Sequence, residues 1–483
     1  MNKLSDLSQL SEQQKDLFII ELWEALERAR EENSKLKEEN SKLKTENEEL
    51  REQVKRLEEK LNARSKNSRN SSNSPSQDRK ANKPAGENCG ENPTRKRREA
   101  SVGRKGGGRA LHANPDQIIV AHAKTCPHCG EAVETRDQHL HAVYDKIEIP
   151  PVKPVVTRVE QYGGHCPHCD KDYVSPVPTG MEAGTPFGES VQSLATYFRY
   201  THAISYERLA QLFGEVYHLD ISEGGLANLF HRVKGRFDGR VEEILQRLRS
   251  SRLVCSDETG ARVNGRNEWE WVFQNKDVCI HVIRSSRGQK VIQEIMGGHR
   301  PKIWVSDLYS AQRKNPAEQW QVCLAHQLRD CQYAIEMGDT VFAPRMKIVL
   351  LRSFVIHKRR ERLKQNTLYQ YRCSLNRCLA QCLELQPINK EGIRLRKRYG
   401  QIQKNLFLFL GDATIPPTNN SSEQALRMSK LFRKVTNCFR STWGRDLFAS
   451  IRSVVNTGKR QGMTAFDAIK KALSPITSFF APG

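Results

Sequence analysis

Hydrophobic and polar positions change rhythm several times along the 483 residues, and each rhythm predicts a different kind of element. From about 17 to 61 there is neither Pro nor Gly, and Leu22, Leu36, Leu43, Leu50 and Leu57 recur in sevens, with Ala29 filling the missing step. With these at d, Ile19, Leu26, Asn33, Asn40, Asn47, Val54 and Leu61 occupy a. Leu at d with Asn at a favours a parallel two-stranded coil, because a buried amide is satisfied only against its twin. Glu32, Glu39 and Glu46 at g precede Lys37, Lys44 and Arg51 at e by five residues, the spacing that pairs charges across such a dimer. A single solvated helix with i,i+4 charge pairs is the rival reading.

The rhythm then stops. From about 62 to 115 the chain is Ser, Asn, Gly, Lys and Arg, too poor in apolar residues to offset chain entropy, and disorder is expected. Further on, Tyr144–Ile149 and Val155–Tyr162 read as two strands around a Pro150-Pro151 turn. Helical spacing follows from about 188 to 250, with an amphipathic stretch at Ile204–Tyr217. Ser222 is placed to cap a second helix carrying Leu226, Leu229, Phe230 and Val233. The short turn between them admits a helix-turn-helix, and a plain helical support fits equally well. From 251 the pattern turns β. Arg252–Asp257 and Pro301–Asp307 are apolar runs that each end in an acid, and Glu268–Phe273 with Val278–Ile283 alternate as a hairpin. A basic helical stretch runs from about 340 to 406, and the C-terminal region from 441 is helical with a basic break at Gly458–Gly462.

Composition narrows the partners. A formal net charge of +22 attracts phosphate backbones or anionic membranes. No stretch approaches the ~18–20 apolar residues that span a bilayer, and the N-terminus lacks a signal peptide's apolar core. Nucleic acid is therefore the expected partner, with no membrane. Arg95–Arg98 and Gly103–Arg109 could track phosphates, or the linker could be a solubilising tether. Of 13 cysteines, four form the pairs Cys126-Pro-His-Cys129 and Cys166-Pro-His-Cys169. Two such knuckles supply four thiolates for one structural Zn²⁺ in a ribbon, although His128 or His168 could replace a thiolate. The remaining, scattered cysteines read as reduced thiols of a cytoplasmic chain.

The acids carry the chemistry. If the runs ending in Asp257 and Asp307 are neighbouring buried strands, their carboxylates repel one another unless a cation lies between them. Mg²⁺ suits that place, preferring carboxylate and water oxygens and keeping positions open for phosphate. In Pro416-Pro-Thr-Asn-Asn-Ser-Ser-Glu423, a helix start puts Glu423 in or near the first turn, and Arg427 and Lys430 share its face. Taken singly, a strand-end Asp is more often a turn former and a Glu–Arg i,i+4 pair an ordinary surface pair. Their combination in this order is what points to a site.

Asp257-Glu-Thr, Ser306-Asp307-Leu-Tyr, Cys323-Leu-Ala-His326 and the Asn419-Asn420…Glu423…Arg427 block resemble the insertion-sequence-66 family of transposases. The resemblance runs from the linker to near the C-terminus. It implies an α/β, ribonuclease-H-like catalytic core with a helical insertion, preceded by a coiled coil, a zinc ribbon and a helical domain. It implies an acidic triad of Asp257, Asp307 and Glu423 holding two Mg²⁺ or Mn²⁺ ions for DNA strand cleavage and strand transfer, with Arg427, Lys430 and His326 positioning the DNA. The expected domains are a coiled coil at 1–62, a basic linker at 63–115, the zinc ribbon at 116–176, the helical region at 177–250, the core at 251–440 with its insertion at about 340–406, and a helical tail at 441–483. The expected partners are double-stranded DNA (element ends and target), a second copy or more of the chain, and accessory proteins of the same element, at the bacterial nucleoid. A catalytically silent, zinc-containing dimeric DNA-binding protein is the alternative, and a structure-specific nuclease ranks third. For Cys323 and His326, a buried thiol and a helix-capping histidine explain the residues as well as a place near the site.

Overall fold

The heptad segment forms one uninterrupted helix, α1 (Glu12–Asn62). Its d-position leucines Leu22, Leu36, Leu43 and Leu50 are 54, 53, 51 and 53% exposed, so within the single chain the seam is uncovered. A computed structural model describes residues 11–62, 110–314, 317–474 and 478–480. Most of the expected linker at 63–115, including both basic runs, lies outside the described residues. The chain divides into two compact units, residues 1–78 with 322–417 and residues 79–321 with 418–483.

In the second unit, β1 (Gly163–Cys166) and β2 (Lys171–Val174) pair antiparallel around the second cysteine knuckle, from Gly163↔Val174 to Cys166↔Lys171. This corrects the expected strands at 144–149 and 155–162, which form none. Ile149, Val155 and Val156 are 87, 92 and 90% exposed. Alternation favours a strand only where one face has something to pack against, and these residues have nothing. Pairing forms instead where the Cys-Pro-His-Cys turn brings the two ends together.

Three helices follow: α2 (Glu189–Thr201), α3 (Tyr206–Tyr217) and α4 (Glu223–Arg249). His218, at φ 51°, ends α3 in the left-handed region. Ser222 caps α4 as its sequence requires, its Oγ accepting from the Gly225 N–H at 3.0 Å. Leu226, Leu229, Phe230 and Val233 are all buried.

A mixed sheet of order β5-β4-β3-β6-β7 forms the centre, from β3 (Leu253–Val263), β4 (Arg266–Gln274), β5 (Cys279–Arg284), β6 (Ile303–Ser306) and β7 (Gln319–Val322). Asn264 and Gly265, at φ 47° and 75°, make the two-residue turn between β3 and β4, where an Asn-Gly pair tolerates positive φ at both positions. Helices α5 (Gln289–Met296) and α6 (Ser310–Arg313) fill the connections on either side of β6. The chain returns to this unit with α12 (Asn420–Ala425), α13 (Arg427–Thr436), α14 (Thr442–Arg460) and α15 (Ala465–Leu473). The intervening unit contains α7 (Leu324–Glu336), α8 (Phe342–Arg359), α9 (Gln365–Glu384), α10 (Lys390–Ile402) and α11 (Leu408–Gly411), centred on residues such as Phe342, Met346 and Tyr399.

The C-terminal helices belong to the core. One apolar cluster joins Phe230 and Phe237 of α4, Trp271 and Phe273 of β4, Trp304 of β6, Phe448 and Ile451 of α14 and Ile469 of α15. The hydroxyls of Thr457 and Ser453 accept from the outward N–H groups of Cys279 and His281, at 3.0 and 2.8 Å, and so cap the free edge of β5. Among the described residues, no helix is long and apolar enough to cross a membrane.

Candidate active site at the ends of two core strands

β3 and β6 run parallel and in step: Leu253↔Ile303, Val254↔Trp304 and Cys255↔Val305. Two residues beyond the last pair stand Asp257 and Asp307, so the strands deliver both acids to the same end of the sheet. Asp307 follows the end of β6, and its Oδ1 accepts the Tyr309 N–H at 2.9 Å. Asp257 Oδ1 accepts the Glu258 N–H at 3.0 Å. Both acids are half-buried.

Glu423 reaches this region through α12. Cross-strand partners share a face of a sheet, so Asp257 lies on the face of its partner Val272, with Gln274 and Glu270 flanking. That face is the one α12 and α13 cover. Gln274 Nε2 donates to Ser421 and Ser422 Oγ at 2.9 and 2.8 Å, Val272 clusters with Ala425 and Leu426, and Ser429 Oγ donates to Glu270 Oε1 at 2.6 Å. Asn419 Nδ2 donates 2.7 Å to the Ser256 carbonyl, the peptide immediately before Asp257. Glu423 sits one turn later, its N–H bonded to the Asn419 carbonyl at 3.3 Å.

Arg427 opens α13 exposed to solvent, and Lys430 is half-buried one turn on. His326 is buried in the first turn of α7 behind the buried Cys323, and both belong to the helical unit.

Sequence reasoning passed over Glu258, on the opposite face from Asp257. Its side chain is 1% exposed; Arg287 Nη2 donates to Oε1 at 2.8 Å and Gln312 Nε2 to Oε2 at 2.9 Å. Burial pushes its carboxyl above the usual range, and the negative charge of Asp307 pushes it the same way, while Gln312 and Arg287 pull it back. In Asp-Glu-Thr the second acid is no less conspicuous than the first, but an apolar run ending in an acid draws attention only to the first.

The donor types at the strand ends fit a hard divalent cation, and the field of Asp307 that raises Glu258 is one a cation would neutralise. The cysteine knuckles fit thiolate ligation one at a time. Backbone N–H groups of Cys129 and then His128 hold the Cys126 thiol below its ordinary pKa, and Cys169 and His168 do the same for Cys166. Among the described residues, no three His, Cys, Asp or Glu side chains are gathered closely enough to hold one ion, so neither the four cysteines nor the three acids form a closed cluster.

Residues 184–446, more than half of the chain, match the sequence model described as Transposase IS66 family. Residues 5–110 match a family of unknown function, DUF6444. No curated protein matches the chain.

Proposed function

The chain belongs to the IS66 family of transposases, and we propose that it binds the ends of a bacterial insertion sequence and catalyses DNA strand cleavage and strand transfer with Asp257, Asp307 and Glu423 as the metal-holding acids. The observation that carries this reading is the in-step β3–β6 pairing together with the Asn419–Ser256 bond. The pairing supports neighbouring positions for the two aspartates, and the bond supports a place for Glu423 on the Asp257 face. The mixed sheet flanked by helices is consistent with a ribonuclease-H-like core, and the unit at 322–417 fits a helical insertion in it.

Two divalent ions bound there would lower the pKa of an attacking water or DNA 3′-hydroxyl and stabilise the leaving oxygen. The three carboxylates hold that charge at the strand ends. Arg427 and Lys430, one and two turns beyond Glu423, grip phosphates of the scissile strand, and His326 is assigned a part in positioning DNA. No covalent protein–DNA bond is needed. Cys126, Cys129, Cys166 and Cys169 would together hold one structural Zn²⁺, which would stabilise a small basic module for DNA. The α1 seam pairs with a second copy in a parallel coil, so that one complex can hold two element ends. The protein works in the bacterial cytoplasm at the nucleoid, with accessory proteins of the element as further partners.

Labelled DNA carrying the element's ends tests the reading. Cutting should require Mg²⁺ or Mn²⁺ and stop in EDTA, whereas cutting that continues in EDTA contradicts it. Metal analysis should give one zinc per chain, lost on Cys126→Ser or Cys166→Ser substitution.

A further inference from the structure

The pairing of β3 with β6 ends at Cys255↔Val305, two residues before the aspartates. The sheet ladder alone therefore does not fix the distance between Asp257 and Asp307. Something else must hold the turn after β6 against the end of β3. Resting on the reading of these two residues as metal-holding acids, we propose that Arg287 is the positioning residue that does so, bracketing Asp307 to β3 through Tyr309 and Glu258.

The bracket is continuous. The Tyr309 N–H holds Asp307 Oδ1 at 2.9 Å. The Tyr309 ring lies under the Arg287 guanidinium, 3.8 Å from ring centroid to carbon, and Trp269 of β4 covers the guanidinium at 4.4 Å. The edge of the same guanidinium donates through Nε and Nη2 to Glu258 Oε1, at 3.2 and 2.8 Å. Glu258 is the chain neighbour of Asp257. Gln312 closes the far side, donating from Nε2 to Glu258 Oε2 at 2.9 Å.

A planar, delocalised cation can pack against two rings while presenting two N–H groups to a carboxylate. Lysine carries the charge without the plane. The backbone beside Arg287 is itself held: Arg287 begins the short approach to α5, and the Trp271 indole N–H donates to the Ser286 carbonyl at 3.2 Å. Arg287 thus acts on the reaction through Asp307.

The test uses the full-length chain and compares Arg287→Ala, Arg287→Lys, Tyr309→Leu and Tyr309→Phe with the unsubstituted protein. Mn²⁺ binding is read by electron paramagnetic resonance of the free ion, and the Mg²⁺ needed for half-maximal cleavage is read on labelled DNA. Arg287→Ala and Tyr309→Leu should weaken Mn²⁺ binding and raise the Mg²⁺ requirement by roughly 10–100-fold, with DNA affinity unchanged. Arg287→Lys should not rescue, and Tyr309→Phe, which keeps the ring, should behave as the unsubstituted chain. A structural role alone would lower thermal stability and leave the metal requirement where it was, and that result overturns the inference. If Arg287→Ala fails to fold by circular dichroism, the contrast between Tyr309→Leu and Tyr309→Phe decides, and equal metal binding in those two overturns it. Unsubstituted protein that neither binds Mn²⁺ nor cuts would sink the proposed function as well. Normal binding and cutting with unaltered variants would sink the bracket alone.

Discussion

Asn419 is buried, and its amide bridges two elements: Nδ2 donates to the Ser256 carbonyl at 2.7 Å, and Oδ1 accepts from Ser422 Oγ at 2.6 Å. Asn419→Ala leaves a buried carbonyl without that donor, a loss of about 1–3 kcal/mol. It also frees the helix that carries Glu423, so cleavage should fall on the order of tenfold beyond what the thermal melt alone accounts for. A melt that shifts while cleavage holds would separate Asn419 from the site. A second residue tests the packing of the helical unit. Burial beside Tyr399 pushes the Cys331 thiol up to about 12, where almost no thiolate exists at neutral pH. Iodoacetamide on native protein at pH 8 should therefore label exposed Cys373 and spare Cys331, as peptide mass mapping would show. Early labelling of Cys331 would mean that α7 and α10 are not packed as described.

At the scale of elements, a buried polar network holds the sheet to the helices that follow Glu423. His281 Nδ1 donates to Glu270 Oε1 at 3.0 Å, Asn456 Nδ2 donates to His281 Nε2 at 2.8 Å, and Ser429 Oγ joins from α13. Removing one member of a fully buried pair strands its partner, so Glu270→Ala should cost about 3–5 kcal/mol in chemical denaturation. A loss under about 1 kcal/mol would show that water reaches the network. None of these contacts was legible in the sequence, since Glu270 and His281 sit on alternating strands where a polar residue reads as solvent-facing. What was legible had local causes. The Ser222 cap, the hairpin of Glu268–Phe273 with Val278–Ile283 and the apolar runs into Asp257 and Asp307 depend on neighbours within a few residues. β7, the role of α14 as cover for β5, and Glu258 depend on partners from other elements: β6 for β7, Ser453 and Thr457 for β5, and Arg287 and Gln312 for Glu258. The strands expected at 144–162 failed for the opposite reason, a local pattern with no tertiary partner to bury it.

Across the whole molecule, the net charge and the uncovered α1 seam each make a prediction. With a formal net charge of +22, binding to DNA should weaken steeply with salt, and a log–log plot of affinity against salt concentration should have a slope of several units. A flat plot would remove phosphate contact as the main source of affinity. The exposed α1 seam predicts a dimer by light scattering that Leu36→Lys with Leu43→Lys converts to monomer; an unchanged mass in that variant would contradict the coil. The most direct test joins these scales. Strand transfer is measured with labelled element ends in Mg²⁺ for unsubstituted protein and for Asp257→Ala, Asp307→Ala and Glu423→Ala, with DNA binding measured in parallel. Each of the three should bind as the unsubstituted chain does and neither cut nor join. Joining that persists in any one of them would contradict the three-carboxylate site.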